Sequence, residues 1–307
     1  FVVTGGSKAP NVRRAFSPEP GVPAGMVLAT QRTHWLLDAP AAAELPARAA
    51  KQAIAANPLP TLMLNAAAAG AVATAAAAGR GLGARTYEVF EEGDSKLGET
   101  TAAMLLSAAR EAIAARGKFV LALSGGSIPK LLAPTLLAAA KDARFDAWHV
   151  FLADERYVAI DHADSNMGEW KARFLDQSGV PPSQIYPLDI ALPLADAAKA
   201  YEAQLRSVCG GGDAASGGDP PKVDVLVLGM GPDGHTASLF EGHPLVEEAG
   251  CWVAPISDSP KPPPCRITLT LPCLNASRLA LFVVTGGSKA PNVRRAFSPE
   301  PGVPAGM

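Results

Sequence analysis

Residues 1–26, FVVTGGSKAPNVRRAFSPEPGVPAGM, recur without a single change as residues 282–307. Solenoid and propeller units diverge and return at short fixed periods. Here one segment returns once, at an offset of 281 residues. That is the pattern of a tandem duplication cut at both ends, the chain beginning inside the tail of one unit and stopping inside the tail of the next. The competing reading is an artefact of gene assembly. The first copy continues past Met26 through VLATQRTHWLLDAPAAAEL, residues 27–45, whereas the second stops at Met307. The 307 residues are therefore expected to hold one domain and part of a like unit's tail, not two different domains. The expected division is residues 1–45 as the duplicated tail, 46–86 as a linker, and 87–307 as the catalytic domain, truncated at its C-terminus.

The linker is read from composition. No acidic residue occurs from Leu45 to Thr86, and no charge at all from Gln52 to Gly79, where Ala and Gly dominate. A transmembrane helix needs about 20 predominantly apolar residues, and here Ala and Gly provide little transfer energy while Asn65 interrupts the run. A transit peptide shares the acid-poor composition but stands at an N-terminus. A flexible or partly helical connection suits the stretch better than either.

From Tyr87 the pattern is that of an α/β domain. Residues 96–116 carry apolar side chains near helical spacing, and Lys118–Leu123 is a short apolar run ending in Ser-Gly-Gly-Ser. A helix over 129–141 opens on Pro129, and further apolar runs follow at Trp148–Ala153, Val223–Leu228, Ile267–Leu271 and Leu279–Thr285. Strands alternating with helices predict a doubly wound, mostly parallel sheet with flanking helices, Rossmann-like in outline. Ligands of such sheets sit at the carboxyl ends of the strands. Four polar or Gly-rich clusters stand at predicted strand ends: SGGS after Leu123, ADER after Leu152, GMGPDGH after Leu228 and TGGSKA after Val284.

Several function classes are excluded at the same stage. A hydrophobic content of 48% supports a sizeable core, and a net charge of -2 provides no basic surface for nucleic acid. Cys209, Cys251, Cys265 and Cys273 contain no Cys-x-x-Cys pair and read as reduced thiols of an intracellular protein. The five histidines have no zinc-ligand spacing, so no metal is expected.

The strand-end clusters carry the candidate chemistry. Gly125, Gly126 and Ser127 precede a helix whose free N–H groups could cradle a phosphate, although a Gly-Gly turn between strand and helix is also a common connection. His235, flanked by glycines, can accept a proton near neutral pH or serve as a structural hydrogen-bonder. Asp154 and Arg156 could orient hydroxyls and bind phosphate, or form a surface ion pair. Lys289 stands beside a second Gly-rich turn, Lys8 is its duplicate, and Arg266 after SPKPPP is a further anion-binding candidate.

Taken together, FVLALSGGSIPKLL, VFLADERYVAIDHADSN, VLVLGMGPDGHTASLF, KPPPCRITLTLP and FVVTGGSKA resemble the 6-phosphogluconolactonase family over roughly residues 87–307, and residues 1–45 resemble that family's tail. The resemblance implies hydrolysis of 6-phospho-D-glucono-1,5-lactone to 6-phosphogluconate without cofactor or metal. It makes His235 the general base and Asp154 a group positioning the reacting ring or the histidine. It gives the phosphate to Gly125, Gly126, Ser127, Arg156 and Lys289 or Lys8, with Arg266 as a weaker candidate. The implied partner is a small phosphosugar lactone, with no nucleic acid and no membrane, in a monomer or weak oligomer of the cytosol or a plastid stroma.

Two positions depart from the family pattern. Ile128 replaces the usual Thr after SGGS, and Glu241 replaces the usual Pro six residues from His235. Two rival functions are a glucosamine-6-phosphate deaminase, which needs a carboxylate where this chain has Phe240, and a non-catalytic sugar-phosphate binder left by the duplication. Chain continuity assigns the site to the C-terminal copy and Lys289, with residues 27–45 packing as the last elements; completeness of the tail argues for residues 1–45.

Overall fold

Four stretches of the chain are apolar at every position or nearly so, and each becomes a largely buried strand. In the computed structural model, residues 23, 27, 29–43, 72–75, 84–90, 94–139 and 143–297 are described. Strands β1 (Arg32–Asp38), β2 (Val72–Ala75), β3 (Ala84–Phe90), β4 (Phe119–Leu123), β5 (Trp148–Leu152), β7 (Val225–Leu228) and β10 (Leu279–Val284) form one seven-stranded sheet in the order β2-β3-β1-β10-β7-β4-β5. All neighbours pair in parallel except β2 with β3. β4 and β7 are buried at every residue, as strands covered on both faces must be.

Each face of the sheet has its own core. On one lie α2 (Asp94–Arg116) and α3 (Ile128–Ala138), with Leu97, Leu105 and Leu132 packed on Leu121, Val227 and Leu281. On the other lies α5 (Leu194–Cys209), whose Ala198, Tyr201 and Leu205 join Phe151, Leu226 and Phe282. Between α3 and α5 runs the short α4 (Asn166–Trp170). Among the described residues no helix is long and apolar enough to cross a membrane.

The expected parallel sheet is correct, but two segments assigned to it belong elsewhere. Asp154–Arg156 does not merely end β5; it forms β6, which pairs antiparallel with β9 (Arg266–Leu269), and β9 pairs in turn with β8 (Val253–Ile256). The break comes at Ala153, whose N–H bonds Leu123 in the large sheet while its carbonyl accepts from Leu269 in the small one. A two-sheet corner leaves no periodicity signal, because both sheets bury the same kind of apolar run.

β1, from the segment that follows the first repeat copy, lies inside the sheet between β10 and β3, with Leu37 opposite Val284 and Val89. The segment expected as a linker contributes β2 and the first residues of β3, while residues 44–71 and 76–83 lie outside the described residues. After β1 comes the short α1 (Ala39–Ala42), capped by Asp38, and after β10 comes α7 (Ala290–Phe297), against which α1 packs. β10 is preceded by α6 (Leu271–Ala276). Residues 29–43 therefore pack beside the second copy of the repeat.

Candidate active site

The strand order reverses between β4 and β7: from β4 the chain goes outward to β5, then returns to β7 on the other side. Such a switch point opens a crevice at the carboxyl ends of the strands. SGGS leaves β4 and GMGPDGH leaves β7 at that crevice, and TGGSK leaves the next strand, β10.

The SGGS turn is sterically defined. Gly126 has φ +70°, and a Cβ on Gly125 would come 1.8 Å from Oδ1 of Asn166, so only glycine fits there. Asn166 also donates from Nδ2 to the carbonyl of Asp154 at 2.8 Å, and Trp170 Nε1 donates to the carbonyl of Ser124 at 2.9 Å. The turn is thus tied to α4 and β6. Ser127, exposed, caps α3 without a side-chain hydrogen bond, and the first turn of the helix keeps the N–H groups of Ile128 and Lys130, Pro129 having none. Ile128 is buried in the core beneath the turn.

The loop after β7 is folded around its histidine. Gly231 donates to the carbonyl of His235 at 2.9 Å, Gly234 adopts φ +83° and donates to Gly231, and Thr236 Oγ1 bonds the Gly229 carbonyl at 2.8 Å. A Cβ on Gly231 would lie 2.1 Å from the His235 ring. Nδ1 of His235 is 2.5 Å from Oδ1 of Asp233. A carboxylate can only accept, so Nδ1 carries the proton and Nε2 is left as the basic nitrogen. Lys261 Nζ reaches Oδ1 of Asp233 at 2.9 Å and lies 3.2 Å from Nδ1 of His235.

Electrostatics keep this ring neutral. The His235 side chain is 19% exposed and its ring centroid is 4.7 Å from that of Phe240. Burial lowers its pKa below the ordinary histidine value; Asp233 opposes that shift and the Lys261 charge adds to it. Burial would raise Asp233, but hydrogen bonds from His235 and Lys261 outweigh it and hold the carboxyl at about 2. The outcome is an unprotonated Nε2 backed by a permanent carboxylate.

The remaining candidates separate into two groups. Asp154, buried on β6, accepts from Ser238 Oγ at 2.9 Å, so its carboxylate is positioned by Ser238 rather than bonded to the histidine. Asp233 is the carboxylate hydrogen-bonded to His235, while Asp154 acts on the ring only through its charge. Arg266, 3% exposed, spends Nε and Nη2 on the carbonyls of Pro263, Lys261 and Pro262, which fixes the loop bearing Lys261. Its Nη1 points to Ser238 Oγ at 3.4 Å. Arg156 stands directly opposite Arg266 in the small sheet and donates to the Asp164 carbonyl. Burial lowers the Arg266 pKa, and the neighbouring Arg156 charge adds to that.

Lys289, half-buried, ends the short 3-10 turn Gly287–Lys289 just before α7; burial lowers its pKa and Asp38 opposes the shift. Lys8 lies outside the described residues. The first three residues of β10, Leu279–Leu281, precede the repeat and pair with Val225–Val227, so the second copy is held in the sheet by unique sequence. Glu241 is engaged in a bidentate ion pair with Arg295 of α7, at 2.7 and 3.0 Å. Its charge is compensated there.

Sequence reasoning missed Asp233, Lys261, Asn166, Ser238 and Asp38. Asp233 was within the quoted PDGH motif, two residues from the histidine, and Lys261 within SPKPPP; the others become visible only through the tertiary contacts.

The profile of the family described as glucosamine-6-phosphate isomerases/6-phosphogluconolactonase matches residues 92–307. The chain belongs to this family. It is 47% identical to a 6-phosphogluconolactonase of Rattus norvegicus over 196 residues, 62% of this chain and 74% of that one. A probable chloroplastic 6-phosphogluconolactonase of Oryza sativa subsp. indica is 44% identical over 210 residues, 67% of this chain and 64% of that one. Among solved structures, a 6-phosphogluconolactonase of Trypanosoma brucei superposes with a TM-score of 0.54 at 27% identity, covering 64% of this chain and 81% of that one. The resemblance read from the five motifs is thereby established, and so is the sheet architecture expected with it. As a member of this family, the chain presents the PDGH loop and the SGGS turn on one edge of its sheet.

Proposed function

We propose that this chain hydrolyses 6-phospho-D-glucono-1,5-lactone to 6-phosphogluconate, the lactone-opening step of the oxidative pentose phosphate pathway, with His235 as general base. The observation that carries the reading is the Asp233–His235 pair, which directs the proton to Nδ1 and leaves a neutral Nε2. Nε2 takes a proton from water as the water oxygen bonds to the lactone carbonyl carbon. Asp233 stabilises the imidazolium that forms. When the bond from that carbon to the ring oxygen breaks, the imidazolium returns its proton to the ring oxygen, giving the open acid. A lactone is already activated, so one base and an anchored substrate account for the chemistry without cofactor or metal.

The anchoring is assigned to Gly125, Gly126, Ser127, Arg156 and Lys289, with Arg266 contributing. Support comes from the uncapped start of α3, where Ile128 and Lys130 retain N–H groups, and from the cross-strand pair Arg156–Arg266. Two cations opposite each other repel, and a bound anion relieves them. Asp154, held by Ser238, is left to orient substrate hydroxyls. A deaminase is disfavoured because Phe240 packs on His235 where that chemistry needs a carboxylate. The substrate is a small phosphosugar lactone, and neither nucleic acid nor membrane enters the reading. The four cysteines are unpaired, which suits an intracellular monomer or weak oligomer of cytosol or plastid stroma.

The test is base uptake at constant pH with freshly prepared lactone. Hydrolysis well above the spontaneous rate is expected. Binding of 6-phosphogluconate with no rate above background would establish the non-catalytic binder instead.

A further inference from the structure

The TGGSK turn that carries Lys289 is held by β1 and α1. β1 and β10 are parallel neighbours with Leu37 opposite Val284, so the next residue, Asp38, arrives beside the turn that follows β10. Asp38 is 8% exposed. Its Oδ1 accepts from the N–H of Ala41 at 2.7 Å, capping α1, and its Oδ2 accepts from the N–H of Gly286 at 2.7 Å. Gly286 has φ +91°, and the Cβ position of Gly287 lies 3.7 Å from Pro40 of α1. Beyond the turn, Asn292 Nδ2 of α7 donates to the carbonyl of Pro232 at 2.6 Å, within the loop that holds His235.

We propose that Asp38 is a positioning residue for the substrate's phosphate: by gripping Gly286 with one oxygen and α1 with the other, it fixes the turn that presents Lys289. The proposal rests on the lactonase reading above. It also explains why residues 27–43 matter to a site built otherwise from residues 124–289. A buried carboxylate accepting two N–H groups has one stable orientation, and a lysine ammonium needs such a support because its stem is flexible. The side chain touches no reacting atom, so its effect is confined to the anchored end of the substrate.

The test compares Asp38→Ser with wild type on 6-phosphogluconolactone and on unphosphorylated glucono-1,5-lactone. Serine caps a helix about as well as aspartate but is too short to hold Ala41 and Gly286 together. Asp38→Ser is expected to lower kcat/KM about tenfold on the phosphorylated lactone, the size of one charge-assisted hydrogen bond, through KM rather than kcat. On glucono-1,5-lactone kcat/KM is expected to stay within about twofold of wild type, since uniform binding of the phosphate is the only thing lost. Equal losses on both lactones, or no loss on either, would overturn the proposal. Asp38→Asn, which keeps the shape but turns one acceptor into a donor, should give the same split if the serine variant fails to fold. A wild type without hydrolase activity would remove the lactonase reading while leaving this one testable by calorimetry. In that case unchanged affinity of Asp38→Ser for 6-phosphogluconate overturns it, and affinity about tenfold weaker supports it.

Discussion

The indole of Trp35 stacks on the ring of Phe282, centroids 4.2 Å apart and planes 11° from parallel. Phe282 is the first residue of the second repeat copy, and Trp35 lies in the segment that follows the first copy. β1 and β10 are thus joined in one core. Both rings are fully buried. Trp35→Ala is expected to destabilise the protein by about 3–5 kcal/mol, the usual cost of deleting a buried aromatic ring. Denaturant titration checks it, and a loss below about 1 kcal/mol would mean that β1 does not occupy its place beside β10.

That stacking also shows how far the sequence could be read. The apolar runs FVLAL, WHVFL and LALFVV announced themselves as buried strands, and the Gly-rich clusters after them located the crevice, because both signals are local. Which copy of the repeat fills the site stayed open between residues 282–307 and residues 1–45, since an exact duplicate carries no information about which copy is used. The transfer of ADER and RITL to a second sheet was not legible, because antiparallel pairing across about 110 residues of separation leaves no local trace. Asp233 was missed for a different reason: its role depends on a loop geometry that brings a carboxylate two residues away onto Nδ1.

His34 predicts an acid sensitivity. It is buried on β1, and burial, with a smaller contribution from Arg32, holds its pKa at about 4 against 6.5 for an exposed ring. At neutral pH the ring is uncharged, so its 3.9 Å approach to Glu88 is not an ion pair. Between those two values the unfolded chain binds a proton that the folded one refuses, so stability declines as pH falls from about 6.5 and levels off below about 4. His34→Gln should reduce the loss of thermal stability between pH 7 and pH 4.5. Parallel melting curves for variant and wild type would contradict the assignment.

The pH profile of activity should follow the charges around His235. Burial lowers its pKa, so kcat/KM is expected to rise to a plateau with a midpoint below the ordinary histidine value. Lys261→Met removes a charge that disfavours the imidazolium, and the midpoint should move up. Asp233→Asn removes the stabilising carboxylate, and the midpoint should move down while kcat falls about 100-fold or more. Shifts in the opposite sense would refute this arrangement of charges.

Lys289 and Lys8 are the same residue in the two copies, and only one is expected to serve. Lys289→Ala should raise KM about tenfold with little change in kcat, as removal of a phosphate contact does. Lys8→Ala should leave both constants unaltered. The reverse order would place the first copy in the site.

The most direct measurement of the central claim is the rate of His235→Ala on 6-phosphogluconolactone, with calorimetric binding of 6-phosphogluconate as the control for an intact site. The variant is expected to lose at least about 99% of the rate above the spontaneous background while still binding product, because only the base has been removed. A variant that retained most of the wild-type rate would contradict the assignment of His235, and with it the mechanism built on the Asp233–His235 pair.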